Sequence, residues 1–124
     1  VHYWEIPYVW TLRGDFNLPA IHPERNQTNI ILDPGIGFTG SIESDLNCLR
    51  HLHTLRQYNR PILVGVSRKS MIYKPLGIST DESLTPTQVA QFYALEQGAT
   101  ILRTHDVKET MQTITLFELL NTNH

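Results

Sequence analysis

Three short strand-like runs, Asn29–Leu32, Ile62–Val66 and Thr100–Leu102, stop in polar or charged clusters near positions 33, 67 and 103. A spacing of about 35 residues is the length of one strand–helix unit, and it leaves few folds open. The middle run, Ile62-Leu63-Val64-Gly65-Val66, has no polar alternation, so it reads as a strand buried on both faces, as in parallel sheets. It ends abruptly in Ser67-Arg68-Lys69-Ser70. Two cations at the end of a buried strand carry a desolvation cost that a simple turn has no reason to bear.

Helical patterns fill the gaps between the runs. Ile42, Leu46, Leu49, Leu52 and Leu55 form one stripe, which predicts a helix over 43–58. A short helical turn over Met71–Lys74 is expected to break at Pro75 and Gly77, with polar loop following over 78–85. Thr85-Pro86-Thr87-Gln88 reads as a helix start with Thr85 at the cap; the helix carries Val89, Phe92, Tyr93 and Leu95 and stops at Gly98. Asp106 is placed to cap a last helix with Val107, Met111, Ile114, Phe117 and Leu120 as its apolar stripe. Upstream, Tyr8–Leu12 reads as a strand closed by Arg13-Gly14, and residues 15–28 have loop composition without a period.

The order is therefore β, irregular, β-α-β-α-β-α, with parallel strands. Chemistry repeated at successive strand C-termini is the layout of a (β/α)8 barrel mouth, whereas a doubly wound sheet gathers its ligands at one switch point. A barrel of this type takes about 200 residues at least. The 124 residues of this chain supply about half of one, leaving two open parallel edges.

The groups collected at the expected mouth are Asp33, Phe38, Ser67, Arg68, Lys69, Ser70, Arg103 and His105, with Arg13 from the first strand. Converging Arg and Lys suit phosphate or pyrophosphate. Asp33 suits the paired N–H donors of a heterocycle. Glycines 35, 37 and 40 make a close-approach loop on which Phe38 can cover a flat ligand. Ser70 would open a helical turn, where free N–H groups favour an anion. A net charge of −2 argues against a broad nucleic-acid surface, and no apolar run approaches a membrane span. The single cysteine, Cys48, excludes a disulfide framework and fits a reducing cytoplasm. His51 and His53 lie two apart on a predicted helix, a poor spacing for shared metal ligation.

Three segments carry a family resemblance: Asp33-Pro34-Gly35-Ile36-Gly37-Phe38, Leu63-Val64-Gly65-Val66-Ser67-Arg68-Lys69-Ser70 and Ile101-Leu102-Arg103-Thr104-His105-Asp106-Val107. In order and spacing they resemble the three C-terminal motifs of dihydropteroate synthases. The likeness spans residues 29–120, and residues 1–28 match the family poorly. It implies one partial domain over 1–124, the C-terminal half of a (β/α)8 TIM barrel. It also implies a transferase of folate biosynthesis that joins p-aminobenzoate to a 7,8-dihydropterin bearing a CH2-pyrophosphate, releasing pyrophosphate. Carried over by motif, Asp33 resembles the carboxylate that binds the pterin N–H groups, and Lys69 the lysine between pterin and aminobenzoate. Ser70 resembles the group holding the aminobenzoate carboxylate, and Phe38 the aromatic lining that pocket. Arg103 and His105 resemble the residues that pack on the pterin and bind pyrophosphate, and Gly37, Ser67 and Arg68 complete the implied substrate contacts. The resemblance further implies Mg2+, with its ligand in the absent N-terminal half and none in this chain, and a cytoplasmic protein, possible as a homodimer. Departures are the missing lysine after Gly37-Phe38, Thr104 in place of an apolar residue, no histidine in Thr11-Leu12-Arg13, and no helix pattern between Gly14 and Asn29. Other readings are a pterin-binding methyltransferase domain and a non-catalytic half-barrel acting by association.

Overall fold

A computed structural model describes residues 8–15 and 30–122. The expected loop over 15–28 and the poorly matched 1–28 segment fall largely outside the described residues.

The parallel strand expectation holds. Strand β1 (Tyr8–Thr11) pairs in parallel with β2 (Ile30–Asp33), Tyr8 opposite Ile30 and Thr11 opposite Asp33. Strands β3 (Leu63–Val64) and β4 (Ile101–Leu102) form a second parallel pair. A parallel bridge between Leu32 and Ile62 joins the two pairs. Leu32, Val64 and Val66 are fully buried and Ile30 and Ile62 nearly so, as the unalternating runs require. Leu52, Leu55, Ile36 and Met71 close the core from the helical side.

The helices are α1 (Ile42–Arg50), α2 (Ser70–Leu76), α3 (Leu84–Gln97) and α4 (Val107–Asn121). None among the described residues is long and apolar enough to cross a membrane.

Four expectations need correction. The helix over 43–58 divides at His51 into α1 and a 3-10 segment, Leu52–Tyr58. Thr54 donates both its N–H and its hydroxyl to the His51 carbonyl, at 3.0 and 2.8 Å, which closes a tighter turn. Three residues per turn then set Leu52 and Leu55 above one another in the core. Pro75 does not break α2 but sits inside it, and the helix stops at Gly77 as expected, in the left-handed region, φ 66°. The loop after it holds a 3-10 turn, Thr80–Glu82, with a Ser79–Glu82 capping box, and α3 starts after Ser83, so Pro86 is its third residue. Asp106 precedes α4 but makes no side-chain cap, because its carboxylate serves Arg68.

The apolar stripes of α3 and α4 reach the core only in part: Leu95 is buried, and Phe92, Ile114 and Phe117 are half-buried. Val89, Val107, Met111 and Leu120 are all more than half exposed. The helices meet through hydroxyls and amides instead: Gln88 Nε2 donates to Thr113 Oγ1 and Gln91 Nε2 to Thr110 Oγ1. Phe92 and Phe117 add an edge-to-face contact at 5.5 Å.

Candidate active site at the strand ends

Each strand hands over a polar group where its ladder stops. At β2, Asp33 is buried at 8% exposure, and its Oδ1 accepts the Gly35 N–H at 2.9 Å. Its Oδ2 lies 3.9 Å from Nη2 of Arg103, which is carried by the end of β4 and is mostly exposed. This pair is long and one-sided in burial, so it orients more than it stabilises. Gly35 is dictated by the turn: a Cβ there would stand 2.5 Å from the Arg13 backbone.

From β3 comes Lys69. Its Nζ donates to the Ile36 carbonyl at 2.6 Å and sits 5.6 Å from the centroid of the Phe38 ring. Burial pushes the Lys69 ammonium pKa down from the ordinary lysine value; Asp33 opposes this and Arg103 adds to it. Two glycines make the room. A Cβ on Gly37 would meet Lys69 Nζ at 3.2 Å, and one on Gly65 would stand 3.7 Å from Nζ and 3.6 Å from Arg103 Cβ. Phe38 projects at 63% exposure from the loop between β2 and α1.

Residues Asp33, Gly37, Phe38, Lys69 and Arg103 therefore come together. His105 stands nearby in sequence at the end of β4, exposed, with Nδ1 2.9 Å from the buried Ser67 Oγ and its backbone N–H on the same oxygen at 3.1 Å. Ser70 opens α2, and its hydroxyl is the first cause of a lowered Tyr73 pKa.

Arg68 departs from the substrate-contact expectation. Its Nε and Nη2 donate to the two oxygens of Asp106 at 2.9 and 3.0 Å, and Nη1 donates to the Thr80 carbonyl at 3.1 Å. Its backbone is left-handed, φ 54°, and its N–H donates to Thr87 Oγ1. Arg68 is thus a brace tying the β3 end to α4. The contact holds the Asp106 carboxyl below the usual range and raises the guanidinium.

One site residue escaped the sequence reading. Asp45 on α1 is buried, and its Oδ1 accepts the Gly37 N–H at 2.8 Å and the Thr39 hydroxyl at 2.6 Å. It anchors the Phe38 loop from below, as Lys69 does from the side. The signal was present: Asp45 interrupts the apolar stripe at Ile42 and Leu49, where a carboxylate needs donors.

Metal ligation finds no support here. Among the described residues no three His, Cys, Asp or Glu side chains gather to hold an ion. Asp33, the carboxylate at the mouth, is already engaged by Gly35 and faces Lys69 and Arg103. His51 and His53 each bond elsewhere, to the Asn47 carbonyl and to Gln97 Oε1. This residue set does not fit Mg2+.

Comparison with known proteins agrees with the geometry. The pterin binding enzyme family model matches residues 23–105. The chain is 39% identical over 89 residues to the dihydropteroate synthase of Escherichia coli K12, covering 72% of this chain and 32% of that protein. It resembles the dihydropteroate synthase of Xanthomonas albilineans in complex with 7,8-dihydropteroate, with TM-score 0.74 and 29% identity over 79% of this chain and 38% of that one. It also resembles the Anaplasma phagocytophilum enzyme with bound 6-hydroxymethylpterin-monophosphate, with TM-score 0.70 and 34% identity over 76% and 37% of the two chains. The chain thus spans roughly a third of the length of these relatives.

Proposed function

The chain belongs to the pterin-binding enzymes, and from that premise we propose that it carries the C-terminal wall of a dihydropteroate synthase site. The reaction is the condensation of p-aminobenzoate with 7,8-dihydropterin-CH2-pyrophosphate. The aryl nitrogen forms a bond to the pterin methylene, the methylene C–O bond breaks, pyrophosphate leaves, and the amine sheds a proton to water. The observation that carries this reading is the convergence of Asp33, Lys69 and Arg103 beneath Phe38 at three successive strand ends.

In this reading Asp33 Oδ2, not committed to Gly35, takes the pterin N–H groups. Lys69 lies between pterin and aminobenzoate, and its lowered pKa reflects a site already desolvated for a flat ligand. Arg103 and His105 receive the pyrophosphate, supplying positive charge and donors where negative charge develops. Ser70, at the start of α2, receives the aminobenzoate carboxylate, and Phe38 covers the ring. The nucleophile is a neutral amine, so no nucleophile–base dyad is required. Mg2+ would need ligands from outside the described residues, and in this reading the protein works in the cytoplasm, which a single unpaired cysteine suits.

Calorimetric titration with dihydropterin pyrophosphate and then p-aminobenzoate tests the reading. Ordered binding that is lost in Lys69→Ala and Arg103→Ala is expected, with no substantial turnover by this chain alone. Absence of pterin binding overturns the reading, and clear turnover overturns the claim that the site is incomplete. Pterin binding without any aminobenzoate binding would favour a methyltransferase domain. Among the described residues the outer edges of β1 and β4 carry no further strand, and together with the exposed apolar side chains of α4 this favours association with a second copy, which sedimentation would show as a dimer mass.

A further inference from the structure

One peptide unit beneath Phe38 is gripped at both ends. The Ile36 carbonyl accepts from Lys69 Nζ at 2.6 Å, and the Gly37 N–H of the same peptide donates to Asp45 Oδ1 at 2.8 Å. A cation thus sits on the oxygen end of the amide dipole and a carboxylate on its N–H end, so each bond polarises the amide in favour of the other. The same peptide is the centre of a turn. The Phe38 N–H donates to the Gly35 carbonyl at 2.9 Å, and of the two central residues only Gly37 has positive φ, 94°. That pattern is a type II turn, which differs from type I by a flip of the central peptide. A flip would aim the carbonyl at the Asp45 carboxylate and the N–H at the Lys69 ammonium, turning both attractions into repulsions.

Both grips are fixed by their surroundings. Asp45 is 7% exposed, and its Oδ1 also accepts the Thr39 hydroxyl at 2.6 Å. Lys69 lies along Gly37, where a Cβ would meet its Nζ, Cδ and Cε at 3.2 to 3.4 Å. Asp45 is also one of the charges that offset the burial of the Lys69 ammonium. We propose that Asp45 is a positioning residue that, through the Ile36–Gly37 peptide, fixes Lys69 Nζ and the Phe38 turn in one arrangement. It acts through that peptide rather than by touching a ligand. A ligand that draws Lys69 away from Ile36 releases one of the two grips, so the turn under Phe38 responds to what Lys69 holds. The identity of the covered ligand as p-aminobenzoate rests on the function proposed above, whereas the relay between Lys69 and Asp45 does not.

The test is backbone and side-chain NMR of the intact chain with Lys69→Met, Asp45→Ala and Asp45→Asn. A type II turn places the Ile36 Hα beside the Gly37 amide proton, whereas type I brings the two amide protons together. The wild type is expected to show the first contact, and Lys69→Met and Asp45→Ala a mixture of the two. Lys69→Met removes only the contact to the carbonyl, yet it should speed hydrogen exchange at the Gly37 amide about 2- to 10-fold, the value of one hydrogen bond. Two independent anchors would leave that amide unmoved, and such a result overturns the proposal. The Leu32 amide, bonded to the Pro61 carbonyl at 2.9 Å outside the turn, is the control. Equal acceleration there marks general loosening and also overturns it. In the other direction, Asp45→Ala should shift the side-chain protons of Lys69, whose ammonium lies 5.6 Å from the Phe38 ring centre, and Asp45→Asn, which keeps the acceptor, should leave them near the wild-type position. Unmoved Lys69 signals in Asp45→Ala overturn the relay. Titration with p-aminobenzoate in the presence of dihydropterin pyrophosphate reads the ligand, with Asp45→Ala expected to bind about 2- to 10-fold more weakly. A wild type that shows the relay but binds neither compound upholds Asp45 as the positioning residue and overturns the assigned ligand.

Discussion

Replacing Gly35 with alanine should damage the site far more than the same change at Gly40, and the difference can be worked from geometry. Both glycines have positive φ, 84° and 103°, so both variants incur a backbone strain of about 1–2 kcal/mol. That contribution largely cancels in the comparison. A Cβ at Gly40 meets nothing within 4 Å, whereas one at Gly35 lies 2.5 Å from the Cα and N of Arg13. Relief needs a backbone movement of about 1 Å, and overpacking of this kind costs about 1–3 kcal/mol. The same movement stretches two bonds that register β1 against the end of β2, Leu12 N–H to the Asp33 carbonyl and Gly14 N–H to the Pro34 carbonyl, both 2.8 Å. Each is worth about 1 kcal/mol. Gly35→Ala is therefore expected to lose roughly 3 kcal/mol more than Gly40→Ala. Urea unfolding followed by circular dichroism measures the difference, with unchanged slopes as the condition for reading it as stability. Equal midpoints for the two variants would refute the idea that the Arg13–Gly35 contact sets the position of Asp33.

Three further outcomes are expected. Asp45→Ala should cost about 1–3 kcal/mol and speed hydrogen exchange at the Gly37 amide, whereas Asp45→Asn, which keeps an acceptor, should do neither to the same degree; unchanged Gly37 exchange in Asp45→Ala would remove Asp45 as the loop anchor. Burial lowers the Lys69 pKa, so the unfolded chain binds more protons between the folded value and the ordinary 10.5. Its contribution to stability therefore rises as pH rises through that window, and subtracting the Lys69→Met curve from the wild type should show this rise; a flat or falling difference would contradict the burial argument. Asp106 has its pKa held down by Arg68, so its contribution is present above the ordinary carboxylate value and fades as pH falls through the lower folded one. Asp106→Asn should flatten that acid limb in denaturation curves, and an unaltered limb would count against the brace.

The sequence made parts of this molecule legible for a definite physical reason. Unalternating apolar runs report burial on both faces, so Ile30, Leu32, Ile62 and Val64 read correctly as parallel core, while Val66, expected in the same strand, is buried just past the point where the ladder stops. The strand ends followed from them, and with the ends came Asp33, Lys69, Arg103 and His105. Periodicity was a poorer guide where helices meet through polar side chains. On α4 the apolar stripe pointed to Val107, Met111 and Leu120, yet Thr110 and Thr113 are the buried residues because Gln88 and Gln91 of α3 supply their partners. No pattern within one helix shows what the neighbouring helix offers. Arg68 teaches the same lesson about charge. A cation beside Lys69 looks like a second ligand for an anion, and only the fold reveals that Asp106, 38 positions later, claims its Nε and Nη2 while Thr80 takes Nη1. That claim has a consequence for function. With Arg68 bound to Asp106, the β3 end is locked to α4, and Ser67 is held against His105 on one side of the lock while Lys69 reaches Ile36 on the other. The residues that resemble ligand contacts are thereby held in place by one that makes a contact of a different kind.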